Sequence, residues 1–137
     1  KAWLADQDPS GGWAYYSKPA EKVPITPGMT AVGVATLFIT QDYLHASEGV
    51  GCRGNIRNPA IDKGIEWLSR NFERVATDER LPRNYPYNTL YGIERVGVAS
   101  GLKHIGEHDW FAHGARWLLG NQRADGYIGQ SCDNRGH

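Results

Sequence analysis

Two stretches of ten residues, KGIEWLSRNF at 63–72 and HGARWLLGNQ at 113–122, carry Gly, Trp, Leu and Asn at the same offsets, fifty residues apart. A repeat of that period restricts the chain to architectures in which one supersecondary unit stacks on its copy, because neither copy covers its apolar face alone. The unit is helical. In the first copy Asn58 and Pro59 supply a cap and a first-turn proline, and Ile61, Ile65, Leu68 and Phe72 come after them at spacings of four, three and four. In the second, Asp109 stands ready to cap a helix carrying Trp110, Gly114, Trp117, Leu118 and Asn121. Both read as half-exposed helices.

Each is preceded by a segment of another kind. Residues 29–44 are apolar nearly all round between Ala31 and Ile39, and residues 87–99 combine Leu90, Ile93, Val96 and Val98 with little polar face. A helix apolar on every side is expected to be covered on every side, which makes these the inner members of helix pairs. The N-terminal AWLADQ reads as the tail of a third outer helix. The predicted fold class is therefore all-α, one domain over residues 1–137, with about two and a half helical hairpins in the order outer, inner, outer, inner, outer. The connections at 8–28, 45–58, 74–86 and 123–137 are rich in Gly, Pro or Ser. They exceed the usual length of about 2–8 residues for helix connections.

Fifteen basic residues balance fifteen acidic ones, so no field favours a polyanion, and nucleic acid is not an expected partner. No apolar run approaches the roughly 18 residues of a membrane span. Cys52 and Cys132 lack metal-ligand spacing and are compatible with a disulfide or with two thiols, which leaves the compartment open.

The repeat resembles a known family. The pattern basic-Gly-x-x-aromatic-Leu-x-x-x-Gln-x-x-x-Gly-x-Trp, the QW motif, marks the prenyltransferase and squalene-oxidase repeat of terpene cyclases such as squalene-hopene cyclase. Lys63, Gly64, Trp67 and Leu68 match its first half, with Phe72 in place of glutamine. His113, Gly114, Trp117, Leu118, Gln122 and Gly126 match almost throughout, with Ile128 in the tryptophan position and Tyr127 beside it. Gln7, Gly11 and Trp13 match the second half without substitution. The block at 88–122 looks more like uncharacterised cyclase-like repeat proteins of bacteria than like true cyclases. The resemblance implies an α/α toroid with concentric rings of inner and outer helices, of which this chain is an open arc and a part of a larger protein. It also gives Gln7, Gly11, Trp13, Trp67, Trp117, Gln122 and Gly126 a structural role, as terminators and packing residues of the repeat.

Squalene-type cyclases protonate an alkene with the acid of a D-x-D-D segment, which this sequence lacks; Asp6, Asp8 and Asp78-Glu79 fall in loops or at helix ends. Protein prenyltransferases of the same fold bind zinc through Asp, Cys and His. Asp109, His113, His104 and His108 sketch such a site, but no D-x-C pairing accompanies them, and a cap plus solvated histidines explains them better. GVGC at 49–52 faintly resembles the thioester sequence of complement-type toroids, yet the glutamine that closes the thioester is missing. No catalytic, cofactor or metal residue is assigned, and no cofactor is expected.

What remains is a binding surface. Tyr85, Tyr87 and Tyr91, with Glu94 and Arg95, open the second inner segment. In toroids that bind ligands the inner helices line the cavity, and aromatic rings suit isoprenoid chains or sugar faces. GGWAYY at 11–16 is a second aromatic candidate. The sequence thus predicts a non-catalytic binding or interaction domain for an apolar or sugar-like ligand. The alternatives are part of an isoprenoid cyclase whose acid lies outside these residues, and a carbohydrate-active toroid. An open arc also exposes inner-helix surface, so a homodimer contact or the remainder of the toroid is expected to cover it.

Overall fold

A computed structural model of the chain describes residues 2–15, 23–45, 57–75 and 85–128. Among these, the helices are α1 (Ala2–Ala5), α2 (Pro27–Leu44), α3 (Pro59–Arg70), α4 (Pro86–Ser100) and α5 (Trp110–Gly120), with a single 3-10 turn at Phe72–Arg74. Cys52, Cys132, Tyr16, Asp78, Glu79 and the GVGC segment lie outside the described residues.

The helix starts arise from local chemistry. Prolines open α2, α3 and α4, where a missing N–H costs nothing. Thr26 Oγ1 accepts from the Met29 N–H at 3.2 Å, Asn58 Oδ1 from Ala60 N–H at 3.1 Å, and Asp109 Oδ1 from Ala112 N–H at 2.9 Å. Each side chain satisfies one orphan donor of its first turn.

The protein is mostly helical. It departs from the all-α expectation in one place: β1 (His104–Ile105) and β2 (His108–Asp109) form a small antiparallel hairpin between α4 and α5, with His104 opposite Asp109 and Ile105 opposite His108. Ile105 anchors it, fully buried in the core while His104, Gly106 and Glu107 stay in solvent. Strands of two residues carry no period that a sequence pattern can reveal.

Helix α2 is the centre. It packs against α4 on one side and α3 on another, while α5 leans on α4. Trp13, Val34, Leu37, Phe38, Leu68, Phe72, Ile93, Val96 and Ile105 form the core. The two segments expected to be covered all round are not. Helix α2 buries Thr30, Ala31, Val34, Leu37 and Phe38 but leaves Ile39, Tyr43 and Leu44 exposed toward its C-terminal end. Helix α4 buries Thr89, Gly92, Ile93, Val96 and Gly97 and leaves Tyr91, Arg95 and Val98 open. Among the described residues nothing covers that outer flank of α4. None of the described helices is long and apolar enough to cross a membrane.

Candidate functional site

The tyrosine-bearing segment forms one open face of α4. Pro86 starts the helix directly after Tyr85, so Tyr87, Tyr91, Glu94, Arg95 and Val98 fall at helical spacing. Tyr85 and Tyr91 are 63% and 59% exposed, and Tyr87 is 41% exposed. Arg95 places its guanidinium 5.2 Å from the Tyr91 ring centroid, within cation–π reach. Its Nε also donates to Glu94 Oε2 at 3.2 Å, a pair both of whose members are partly in solvent. Tyr87 meets Trp117 of α5 edge to face, with centroids 5.3 Å apart. The structure therefore places Tyr87, Tyr91, Glu94 and Arg95 on one helix, with Tyr85 directly before its first residue, and adds Trp117 beside Tyr87. Sequence reasoning placed Trp117 in the repeat motif alone, because its partner lies thirty residues away and no local pattern links them.

The repeat residues occupy two turns of the same design. In the first, Gln7 Nε2 donates to the Gly11 carbonyl at 2.9 Å, Asp8 N–H to the Gly12 carbonyl at 3.0 Å, and Gly11 N–H to the Asp8 carbonyl at 2.8 Å. In the second, Gln122 Nε2 donates to the Gly126 carbonyl at 3.0 Å, Arg123 N–H to the Tyr127 carbonyl at 2.9 Å, and Gly126 N–H to the Arg123 carbonyl at 2.9 Å. Gly11 and Gly126 hold φ of 103° and 83°, a region that glycine enters without steric cost. An Asp carboxylate braces each turn, Asp8 through the Ser10 N–H and Asp125 through the Tyr127 N–H. The bonds from Ser10 hold the Asp8 carboxyl below the usual carboxylate range.

Trp13 is core rather than a contact loop. It is 1% exposed, its backbone N–H donates to the buried Thr30 Oγ1 at 3.1 Å, and its Nε1 donates to the Trp3 carbonyl at 2.8 Å. Its ring lies against Gly33 of α2 and Gly64 of α3. Trp67 is likewise buried, at 6% exposure.

Of the candidate histidines, His104 is solvated as expected, whereas His108 and His113 are half-buried. His108 stacks on Phe72 with centroids 4.6 Å apart, and its Nδ1 is 3.7 Å from Glu73 Oε1. His113 meets Phe72 edge-on, and its Nε2 lies 3.2 Å from the Val75 carbonyl. Asp109 is engaged as the α5 cap; the Ala112 N–H, then nearby Lys103 and His104, hold its carboxyl below the usual range. Among the described residues no three His, Cys, Asp or Glu side chains converge on a metal position. A cavity of about 240 Å³ lies elsewhere, between α1 and the start of α2, lined by Trp3, Asp6, Trp13, Tyr15 and Met29 among others. It is smaller than the roughly 300–1,000 Å³ of small-molecule sites.

Compared with known proteins, the chain matches no family model, no curated protein and no solved structure.

Proposed function

We propose that this chain is a non-catalytic binding or interaction domain of the terpene-cyclase-like toroid type, with α2 and α4 as inner helices and α1, α3 and α5 as outer ones. Its ligand face is the open flank of α4: Tyr85, Tyr87, Tyr91, Glu94 and Arg95. The observation that carries this reading is the pair formed by Tyr91 and Arg95, an exposed ring with a guanidinium over it on a helix whose opposite face is core. An exposed ring costs little to desolvate and offers a flat apolar surface, while the adjacent Arg95 and Glu94 supply a donor and an acceptor at its edge. That combination suits an apolar isoprenoid chain or the face of a sugar ring.

Titration of the isotope-labelled chain with farnesol in dilute detergent, and separately with a neutral oligosaccharide, tests the assignment. NMR shifts at Tyr87 and Tyr91 that saturate with one of the two, and that Tyr91→Ala removes, are the expected result. No saturable shift on α4 with either ligand sinks the reading.

A further inference from the structure

The cavity between α1 and the start of α2 is walled by aromatic rings, and the α4 face has no part in it. Trp13 forms its buried floor, with its ring held against Gly33 and Gly64. Trp3 stands at 64° to that ring with centroids 6.4 Å apart, and Trp13 Nε1 donates to the Trp3 carbonyl at 2.8 Å, which ties the two residues together. Tyr15, exposed, supplies the outer wall, and the antiparallel bridge between Ala14 and Ile25 holds the backbone beneath it. Half-buried Met29 adds a thioether, and exposed Asp6 lies at the edge.

Two properties of this lining select a ligand. The first is charge: Asp6 is the one charged side chain among the described residues that line the cavity, and aromatic ring faces attract cations. Hydrogen bonding is the second. The backbone carbonyls of Ala2, Trp3 and Trp13 already accept, from Asp6 N–H at 3.0 Å, from Trp13 Nε1 and from Thr26 N–H at 3.3 Å. A primary ammonium brings three donors that lose water on entry and meet few acceptors there, which is costly. A quaternary ammonium brings none, and its methyl groups pack on rings and sulfur alike. A volume of about 240 Å³ suits a headgroup of that kind rather than a drug-sized molecule.

We propose that this cavity binds a small quaternary ammonium compound, with its trimethylammonium group among Trp3, Trp13, Tyr15 and Met29 and with Asp6 as the counter-charge. The stretch GGWAYY thereby gives the site one ring for its floor and one for its wall, a task beyond the core packing of Trp13. No residue of the α4 face takes part, so the site stands or falls independently of the reading of that face.

The probe is choline chloride, titrated into the full chain at constant ionic strength and followed by NMR at the ring signals of Trp3, Trp13 and Tyr15. Saturable shifts at these rings are the expected result. The neutral carbon isostere of choline, with a tert-butyl group in place of trimethylammonium, should bind about ten-fold more weakly, and so should ethanolamine, which lacks the methyl groups. Tyr15→Ala and Asp6→Asn change exposed side chains and should each weaken choline binding by about two- to five-fold. No saturable shift with choline overturns the proposal. Equal affinity for the neutral isostere reduces the cavity to an apolar patch, and equal affinity for ethanolamine reduces it to an ion pair at Asp6; either result overturns it. Undiminished choline binding in either variant does so as well.

Discussion

In the turn at residues 7–13, Gly11, Gly12 and Trp13 are buried; in the turn at 122–128, Gly126, Tyr127 and Ile128 stand in solvent. The backbone bonds of the two are matched, so the turn is a local product of Gln-x-x-x-Gly. Its burial depends on the helices packed over it. The first turn closes over α3 and the start of α2, and the second closes over nothing among the described residues. The comparison separates a conformation that sequence dictates from a stabilisation that only a neighbour provides, which is how repeat architectures distribute their stability.

The largest expected difference lies at the aromatic or apolar residue two positions after each glycine. Trp13→Ala removes a ring held by α2 and α3 and is expected to cost about 3–5 kcal/mol. Ile128→Ala, on an exposed turn, should stay within about 0.5 kcal/mol. Urea unfolding of both variants measures this, and comparable losses would show that the two turns share one environment.

The paired glycines inside α3 and α5 should differ in sign. A Cβ at Gly64 would overlap Val34 and come within 3.0 Å of the Trp13 ring, whereas at Gly114 the nearest atom is Leu90 Cδ2 at 3.5 Å. Gly64→Ala is therefore expected to destabilise by about 1–3 kcal/mol through overpacking. Gly114→Ala should stabilise by up to about 1 kcal/mol through helix propensity. Thermal unfolding of the two variants decides it, and equal shifts would show that both sites are equally open.

This contrast also marks where the sequence was legible. Asn58-Pro59 and Asp109 announced the starts of α3 and α5 because capping is local chemistry. The apolar runs announced α2 and α4 as helices. They misled about coverage, because composition shows that a face is apolar without showing whether a neighbour is present to cover it. The hairpin at 104–109 and the packing of His108 and His113 on Phe72 were not legible: two-residue strands leave no period, and the histidines meet a ring more than thirty positions away. For the candidate site, the sequence gathered Tyr85, Tyr87, Tyr91, Glu94 and Arg95 at the opening of the second inner segment, while the contact of Tyr87 with Trp117 depends on how α5 leans on α4.

The two glutamines should differ more modestly. Gln7 holds both its own turn and α3, partly out of water, so Gln7→Ala is expected to cost about 1–2 kcal/mol. Gln122→Ala loses one exposed bond and should cost about 0.5 kcal/mol or less. Chemical denaturation of the two variants gives the ratio, and a larger loss at Gln122 would reverse the ranking of the turns.

The smallest expected effect is on pH dependence. Asp8 in the first turn and Asp109 at the cap of α5 both have carboxyls lowered from the ordinary 3.8, mainly by bonds from Ser10 and from the Ala112 N–H. A carboxyl whose folded pKa is depressed stabilises the folded state above its unfolded value, and that contribution disappears as pH falls through the folded pKa. Stability should therefore be flat from neutrality down to about pH 5 with respect to these two groups and decline below about 4. Asp109→Asn keeps a capping oxygen and removes the titration, so it should shallow the acid limb without abolishing α5. Asp8→Asn should do the same for the first turn. The second turn has Arg123 at the position corresponding to Asp8. Urea midpoints for wild type and both variants across the acid range measure the slopes. An acid limb unchanged in both variants would show that these bonds carry no proton linkage, and would leave the difference between the turns to packing alone.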